Sequence, residues 1–136
     1  MREIKFRVWD HNTNTMMIPD YFEFYDGKID WIEAGREAGP ESGNDGFSDQ
    51  FEIMQYIGLH DKNGREIYEG DIIVTHPKTK YETPKSGVVQ YGDCRPMFQY
   101  KSGDGEEYSI WNNNFYRTYE VIGNIFENPK LLEAPV

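Results

Sequence analysis

The sequence predicts a mainly β protein, an N-terminal β lobe over residues 1–67 followed by an SH3-like small barrel over 68–136. Three observations carry this expectation. Apolar and polar residues alternate with period two from the first ten residues onward. Gly, Asp, Asn and Pro clusters interrupt the apolar runs at the short intervals that strands need. The apolar fraction is only 38%, but 8 Phe, 10 Tyr and 3 Trp supply rings that each remove a large area from water. An acidic disordered chain would lack those rings.

The elements follow in chain order. Ile4, Phe6 and Val8 alternate with Lys5, Arg7 and Trp9, as in a half-buried strand. HNTNT after Asp10 is a turn, since Asn and Thr hydrogen-bond their own backbone. YFEFY (21–25) and KIDWI (28–32), joined by Asp26-Gly27, form a hairpin with a two-residue turn. Residues 34–50 carry Gly35, Gly39, Pro40, Gly43 and Gly46 and few apolar side chains. They read as a long, acidic, mobile loop, opened at most by one helical turn at Glu33–Glu37. FEIMQYIGL is a strand, DKNG turns the chain on Asn63-Gly64, and REIYEGD returns it. Asp61, Asn63, Gly64 and Glu66 are spaced loosely like a calcium loop, but the distant bidentate Glu is missing, so turn chemistry accounts for them.

Five short strands then build the barrel: EGDIIVTH, SGVVQYGD, PMFQYKS, EYSIW and TYEVIGNIFE. Gly70-Asp71 ahead of a β-branched run, with Gly87-Val88-Val89 after it, is how SH3-like barrels begin; Asp71 caps the turn and Gly87 lets the next strand coil. Asn128-Pro129 opens one helical turn at Lys130–Glu133, whose Leu131 and Leu132 pack on the barrel mouth. Tyr119, Val121 and Ile125 share one face of the last strand and Ile122 and Phe126 the other. A strand apolar on both faces is buried twice or forms an interface.

Four blocks of this reading are familiar: REIKFRVWD, MQYIGLHDKNGREIYEGDII, SGVV and YEVIGNIFENPKLLE. Together they resemble the YopX family, small proteins of bacteriophages and prophages. The resemblance implies a mostly β protein with an SH3-like C-terminal part and a phage origin. It implies no activity and no catalytic residue set.

Charge narrows the function classes. The chain carries −10, with 7 basic and 15 acidic residues in 1–70 against 7 and 9 in 71–136. Such a field repels a phosphate backbone, so nucleic acid is an unlikely partner. Mimicry of nucleic-acid charge needs carboxylates in a fixed array, and AGREAGPESGNDG does not supply a helix or strand to hold one. No apolar run approaches the ~20 residues of a membrane span, and the start does not read as a signal peptide. The lone Cys94 excludes an intrachain disulfide, so the cytoplasm of the host cell is the expected location.

Catalytic chemistry finds no anchor in the sequence. His11, His60 and His76 stand at unrelated spacings, and one Cys permits no zinc ribbon, so no metal or cofactor is expected. Cys94 beside Arg95 reads as a turn thiol. The expectation is therefore a non-enzymatic module that binds a host or phage protein and self-associates, the latter through the strand edges at Ile4–Val8 and Tyr21–Tyr25. Its candidate ligand site is a shallow aromatic groove of Tyr81, Tyr91, Phe98, Tyr100 and Trp111, unless those rings are the barrel core. The alternatives are weak nucleic-acid binding through the Lys78–Lys85 loop and a hydrolase site assembled between lobes.

Overall fold

A computed structural model describes residues 3–39, 43–92, 95–110 and 117–132. The chain divides into two compact units, one of Ile4–Gln55 and one made of the chain from Tyr56 onward together with Glu3. The division falls inside a strand, so the latter half of that strand and the strand after it pack with the barrel strands.

In the first unit, β1 (Phe6–Asp10) lies between β2 (Thr15–Met17) and the first half of β6 (Phe51–His60), with Val8 opposite both Met17 and Ile53. Of the stretch Ile4–Val8, only Val8 has β2 on its second side, because β2 pairs with Val8–Asp10. A second sheet runs β3 (Pro19–Tyr25), β4 (Lys28–Ala34), β5 (Asn44–Phe47). The expected hairpin turn is present. Asp26 and Gly27 take φ of 51° and 78°, the left-handed pair that a two-residue turn of this hand requires. Asp30 is an extra residue of β4, between the Glu23–Trp31 and Phe24–Ile29 pairs. That bulge is why Ile29 and Ile32, three apart, both turn inward. Val8, Ile32, Ala34 and Phe51 form the core, with Met17, Phe22, Ile29 and Ile53 around it.

Of the expected loop over 34–50, residues 40–42, Pro40 among them, lie outside the described residues, and the rest differs from a loop. Ala34 ends β4, Arg36–Ala38 is a short 3-10 turn, β5 adds a strand at Asn44–Phe47, and Ser48–Gln50 is a second 3-10 turn. Two of the glycines that suggested mobility serve close packing. A Cβ on Gly43 would fall 2.8 Å from Cγ of Arg36, and one on Gly46 would overlap the Gln50 amide. Asp10, wholly buried, holds the segment from beneath. Its carboxylate accepts from the Asn12 backbone N–H (2.8 Å), Asn44 Nδ2 (2.7 Å) and Gln50 Nε2 (3.2 Å). Arg36 pairs with Asp45 at 2.8 Å and lies 3.9 Å from both Asp20 and Glu33, so three of the scattered acids converge on one cation.

In the second unit, the rest of β6 pairs with β7 (Glu66–Tyr68) across a bulge around Gly58. Five strands follow as a meander that curls into a half-barrel: β8 (Asp71–Pro77), β9 (Ser86–Tyr91), β10 (Phe98–Lys101), β11 (Glu107–Ser109) and β12 (Arg117–Asn124). The fifth strand returns to the first, giving the order β11-β10-β9-β8-β12. All five expected strands are there. β12 stops at Asn124, short of the expected Glu127, because the Asn124 side-chain oxygen accepts from the N–H groups of Phe126 and Glu127 and turns the chain. The helical turn is a 3-10 turn at Pro129–Leu132. Asn128 does not cap it with its side chain, which reaches back to the Asn124 N–H at 3.1 Å.

The Asp61 loop is closed by a carboxylate. Asp61 accepts from the backbone N–H groups of Asn63 and Arg65 (both 2.9 Å) and from that of Val121 in β12 (3.0 Å). Burial alone would raise this carboxyl, and the three amides with the Arg65 charge outweigh it, holding it below the usual range. Gly64 takes the positive φ expected of the turn, whereas Asn63 does not. Asp71 caps its turn as expected, accepting from the Tyr68 N–H at 2.8 Å. Ile57, Ile67, Ile73, Val89, Tyr100, Tyr119 and Val121 form the core of this unit.

Candidate functional site

Strand alternation decides which barrel residues face out. Ile73 and Val89 point into the core, so their neighbours Ile72 and Val88, paired across β8 and β9, point to the outer face. Ile122 joins them from β12. It is the extra residue between the Val121–Ile73 and Gly123–Ile72 pairs, and this bulge pushes it outward. Ile125 and the 3-10 turn with Leu131 and Leu132 stand over the same face. The result is a groove of about 500 Å³ with Ile72 and Val88 beneath and Ile122, Ile125, Leu131 and Leu132 along its side. Ile72 is buried, while Ile122, Leu131 and Leu132 remain exposed. The expected packing of the two leucines on the barrel is thus incomplete, and the space they leave is apolar and open.

Backbone approach shapes the other wall. A Cβ on Gly87 would lie 2.6 Å from the Lys101 carbonyl oxygen, so only glycine lets the end of β10 come this close. Beyond Ser102 and Gly103 the groove continues into a second depression of about 450 Å³, bordered by Lys85, Asp104 and Tyr108. Lys85 Nζ sits 5.2 Å from the centre of the Tyr108 ring. Asp104 is held below its ordinary value, chiefly by the Ser102 hydroxyl and also by the Glu106 N–H. Further along the same outer face, Gln99 is wholly buried. With its amide nitrogen toward Glu107 Oε2 (2.5 Å), its oxygen accepts from Arg95 (2.7 and 3.0 Å), so every polar atom of that amide has a partner.

The five aromatic residues expected to line a ligand groove are dispersed. Tyr91 and Phe98 are cross-strand partners with ring centres 5.5 Å apart, and Tyr100 lies on their face of the sheet. That face is the inner one. Tyr100 is 3% exposed, stacks on Tyr108 at 5.3 Å and meets Tyr119 at 6.2 Å. Burial pushes its phenol up to about 12. Tyr81 is far from this set, 88% exposed in the β8–β9 loop. Trp111 and Cys94 lie outside the described residues. The groove residues carried one sequence signal, the apolar character of both faces of β12; the outward placement of Ile72 and Val88 carried none, because IIV and GVV read equally well with either parity.

The histidines each have a local partner and do not converge. His11 contacts Glu52 at 3.4 Å, His60 Nδ1 the Tyr56 hydroxyl at 3.3 Å, and His76 Nε2 Glu120 at 2.7 Å. Among the described residues no three His, Cys, Asp or Glu side chains group as metal ligands. No helix of the described residues is long and apolar enough to cross a membrane.

The sequence blocks and the two-unit β architecture lead to one family. The model of the YopX protein family matches residues 5–133. The chain belongs to the YopX family. Two solved structures extend the likeness over whole chains. Protein EF1440 from Enterococcus faecalis is 30% identical, with a TM-score of 0.67 over 97% of this chain and 99% of that one. YopX from Bacillus subtilis is 21% identical with the same TM-score over all of both chains, a likeness of fold. No match to this YopX-family chain is found among curated proteins.

Proposed function

We propose that this YopX-family chain is a non-enzymatic, protein-binding and self-associating accessory module of phage or prophage origin, acting in the cytoplasm of the host cell. The groove beside β12 carries the binding part of the reading. Its volume falls in the ~300–1,000 Å³ range of ordinary ligand sites. Among the described residues it has no aromatic lining: exposed leucine and isoleucine side chains border the buried Ile72 on one side, and Gln90, Lys101 and Ser102 supply polar groups on the other. An extended protein segment with two or three aliphatic side chains fits that surface, with its polar end at Lys85 and Asp104. The non-enzymatic part is supported by how the buried carboxylates are used. Asp10, Asp61 and Asp71 each accept internal hydrogen bonds that close turns or loops. The resemblance to the family supports the phage origin, and the lone cysteine supports a reducing compartment.

The test is selection of random dodecapeptides on the intact protein. Recovered sequences should be rich in Leu, Ile and Val, and their affinity should fall by at least about tenfold, or ~1.4 kcal/mol, in Ile122→Glu and Leu132→Glu variants. Both side chains are exposed, so the substitutions should leave the fold intact. Recovered peptides that bind the variants as tightly as the wild type would remove the groove from the reading.

A further inference from the structure

We propose that copies of the chain associate by docking the acidic, aromatic β3–β4 hairpin of one copy on the basic β8–β9 loop of another. The inference rests on the self-associating reading above and names the two surfaces that meet.

The hairpin is an unusual surface. β3 is an outer strand of its sheet, and Phe24 and Tyr25 at its end are 62% and 75% exposed, with Ile18 and Tyr21 exposed further back. Glu23 lies between Tyr21 and Tyr25 on one face of β3, whereas Phe24 follows Phe22 on the other. Large exposed rings side by side mark an interaction site more often than single exposed apolar residues do. Glu23, Asp26 and Asp30 surround these rings, all exposed, with Lys28 as the cation beside them. Pairing this hairpin with its own copy would bring like charges together, which is destabilising. The surface that fits it is cationic and carries its own apolar contact.

The β8–β9 loop has that chemistry. Lys78 and Lys80 are exposed at its tip, and Tyr81 is 88% exposed, with Lys80 Nζ 5.5 Å from its ring centre. The loop is held at its base. Arg117 donates to both Glu82 oxygens at 2.9 and 2.8 Å, and Thr75 and Lys85 exchange two hydrogen bonds of 2.8 Å. Docking a loop already held in this way costs less ordering entropy than docking a free one. Lysine ammonium groups against Tyr21 and Tyr25 would add cation–π attraction to the pairing with Glu23 and Asp26. Both halves of the chain are net negative, −8 over 1–70 and −2 over 71–136, so the attraction is confined to this local contact between opposite charges.

Sedimentation equilibrium of the intact chain tests this, with two charge-reversal variants, Glu23→Lys/Asp30→Lys and Lys78→Glu/Lys80→Glu. The wild type should rise above 16 kDa with concentration at about 0.1 M salt, which screens the net repulsion of two acidic copies, and fall back at about 1 M. Each variant alone should associate at least about tenfold more weakly. Their equimolar mixture should associate again, because the basic hairpin meets an acidic loop and the acidic hairpin a basic loop. Circular dichroism confirms folding of each variant, and Ile122→Glu should associate as the wild type does. A wild type that associates while both variants match it would overturn the hairpin–loop contact and leave self-association standing. A wild type fixed at 16 kDa overturns both. A monomeric wild type whose binding to duplex DNA is lost on Lys78→Glu/Lys80→Glu would assign the loop to nucleic acid instead.

Discussion

Asp10 in the first unit and Asp61 in the second are both buried carboxylates that close a loop, and their donors differ in kind. Asp10 is held mainly by side-chain amides, those of Asn44 and Gln50, with one backbone N–H from Asn12. Asp61 is held by three backbone N–H groups, two in its own turn and one from β12. A side-chain amide can rotate and offer its oxygen where its nitrogen was. A backbone N–H fixed in a strand cannot. The first unit thus has a staple that tolerates replacement, whereas the second has one that requires an acceptor.

The largest effect should follow from Asp61→Asn. The new NH2 group must face either the Val121 N–H or those of Asn63 and Arg65, leaving a donor unsatisfied at a cost of about 1–3 kcal/mol, measurable by urea unfolding. Asp10→Asn should cost less than about 1 kcal/mol, because Asn44 and Gln50 can turn their amides to suit it. Equal losses at the two positions would break the distinction between fixed and rotatable donors. Removing the acceptor sharpens it: Asp10→Ala should raise hydrogen exchange across Asn44–Gln50 while leaving the barrel strands protected.

The pH dependence is the smallest of these effects and the same in sign for both. Burial would raise the Asp10 carboxyl, and the Asn12 N–H with Asn44 and Gln50 brings it below the ordinary value; Asp61 is likewise depressed. A carboxyl depressed in the folded state contributes stability above its unfolded pKa of about 3.9 and loses it as pH falls through the folded value. Stability should therefore stay level from neutral pH to about 5 and decline below about 4. Asp61→Asn should flatten that decline more than Asp10→Asn does if the backbone amides hold the charge more firmly, and acid titrations of the two variants would show it.

Much of this fold was legible because its signals are local. The Asp26-Gly27 turn needs two left-handed residues in a row, and few pairs other than these supply them. The five barrel strands were legible for the same reason, as short apolar runs between turn residues. What failed was the meaning of glycine in 34–50. Gly43 and Gly46 look like flexibility in sequence, but they leave room for Arg36 and Gln50, which come from elsewhere along the segment. The aromatic groove failed differently. Alternation placed Tyr91, Phe98 and Tyr100 on one face correctly but carried no information on which face turns inward.

The sequence by itself determined the class of fold, the hairpin turn, the family and the separation of acidic from near-neutral halves, because period-two patterning, turn conformation and net charge are properties of neighbouring residues. Only the tertiary structure decided which apolar residues remain outside. The bulge at Ile122, the close approach at Gly87 and the half-covered leucines of the last turn depend on segments well apart in the chain, as Gly87 is from Lys101 and Ile72 from Gly123. Their packing left the groove on the outer face and sent Tyr100 and Tyr119 to the core, while Tyr81 and Tyr91 stayed exposed.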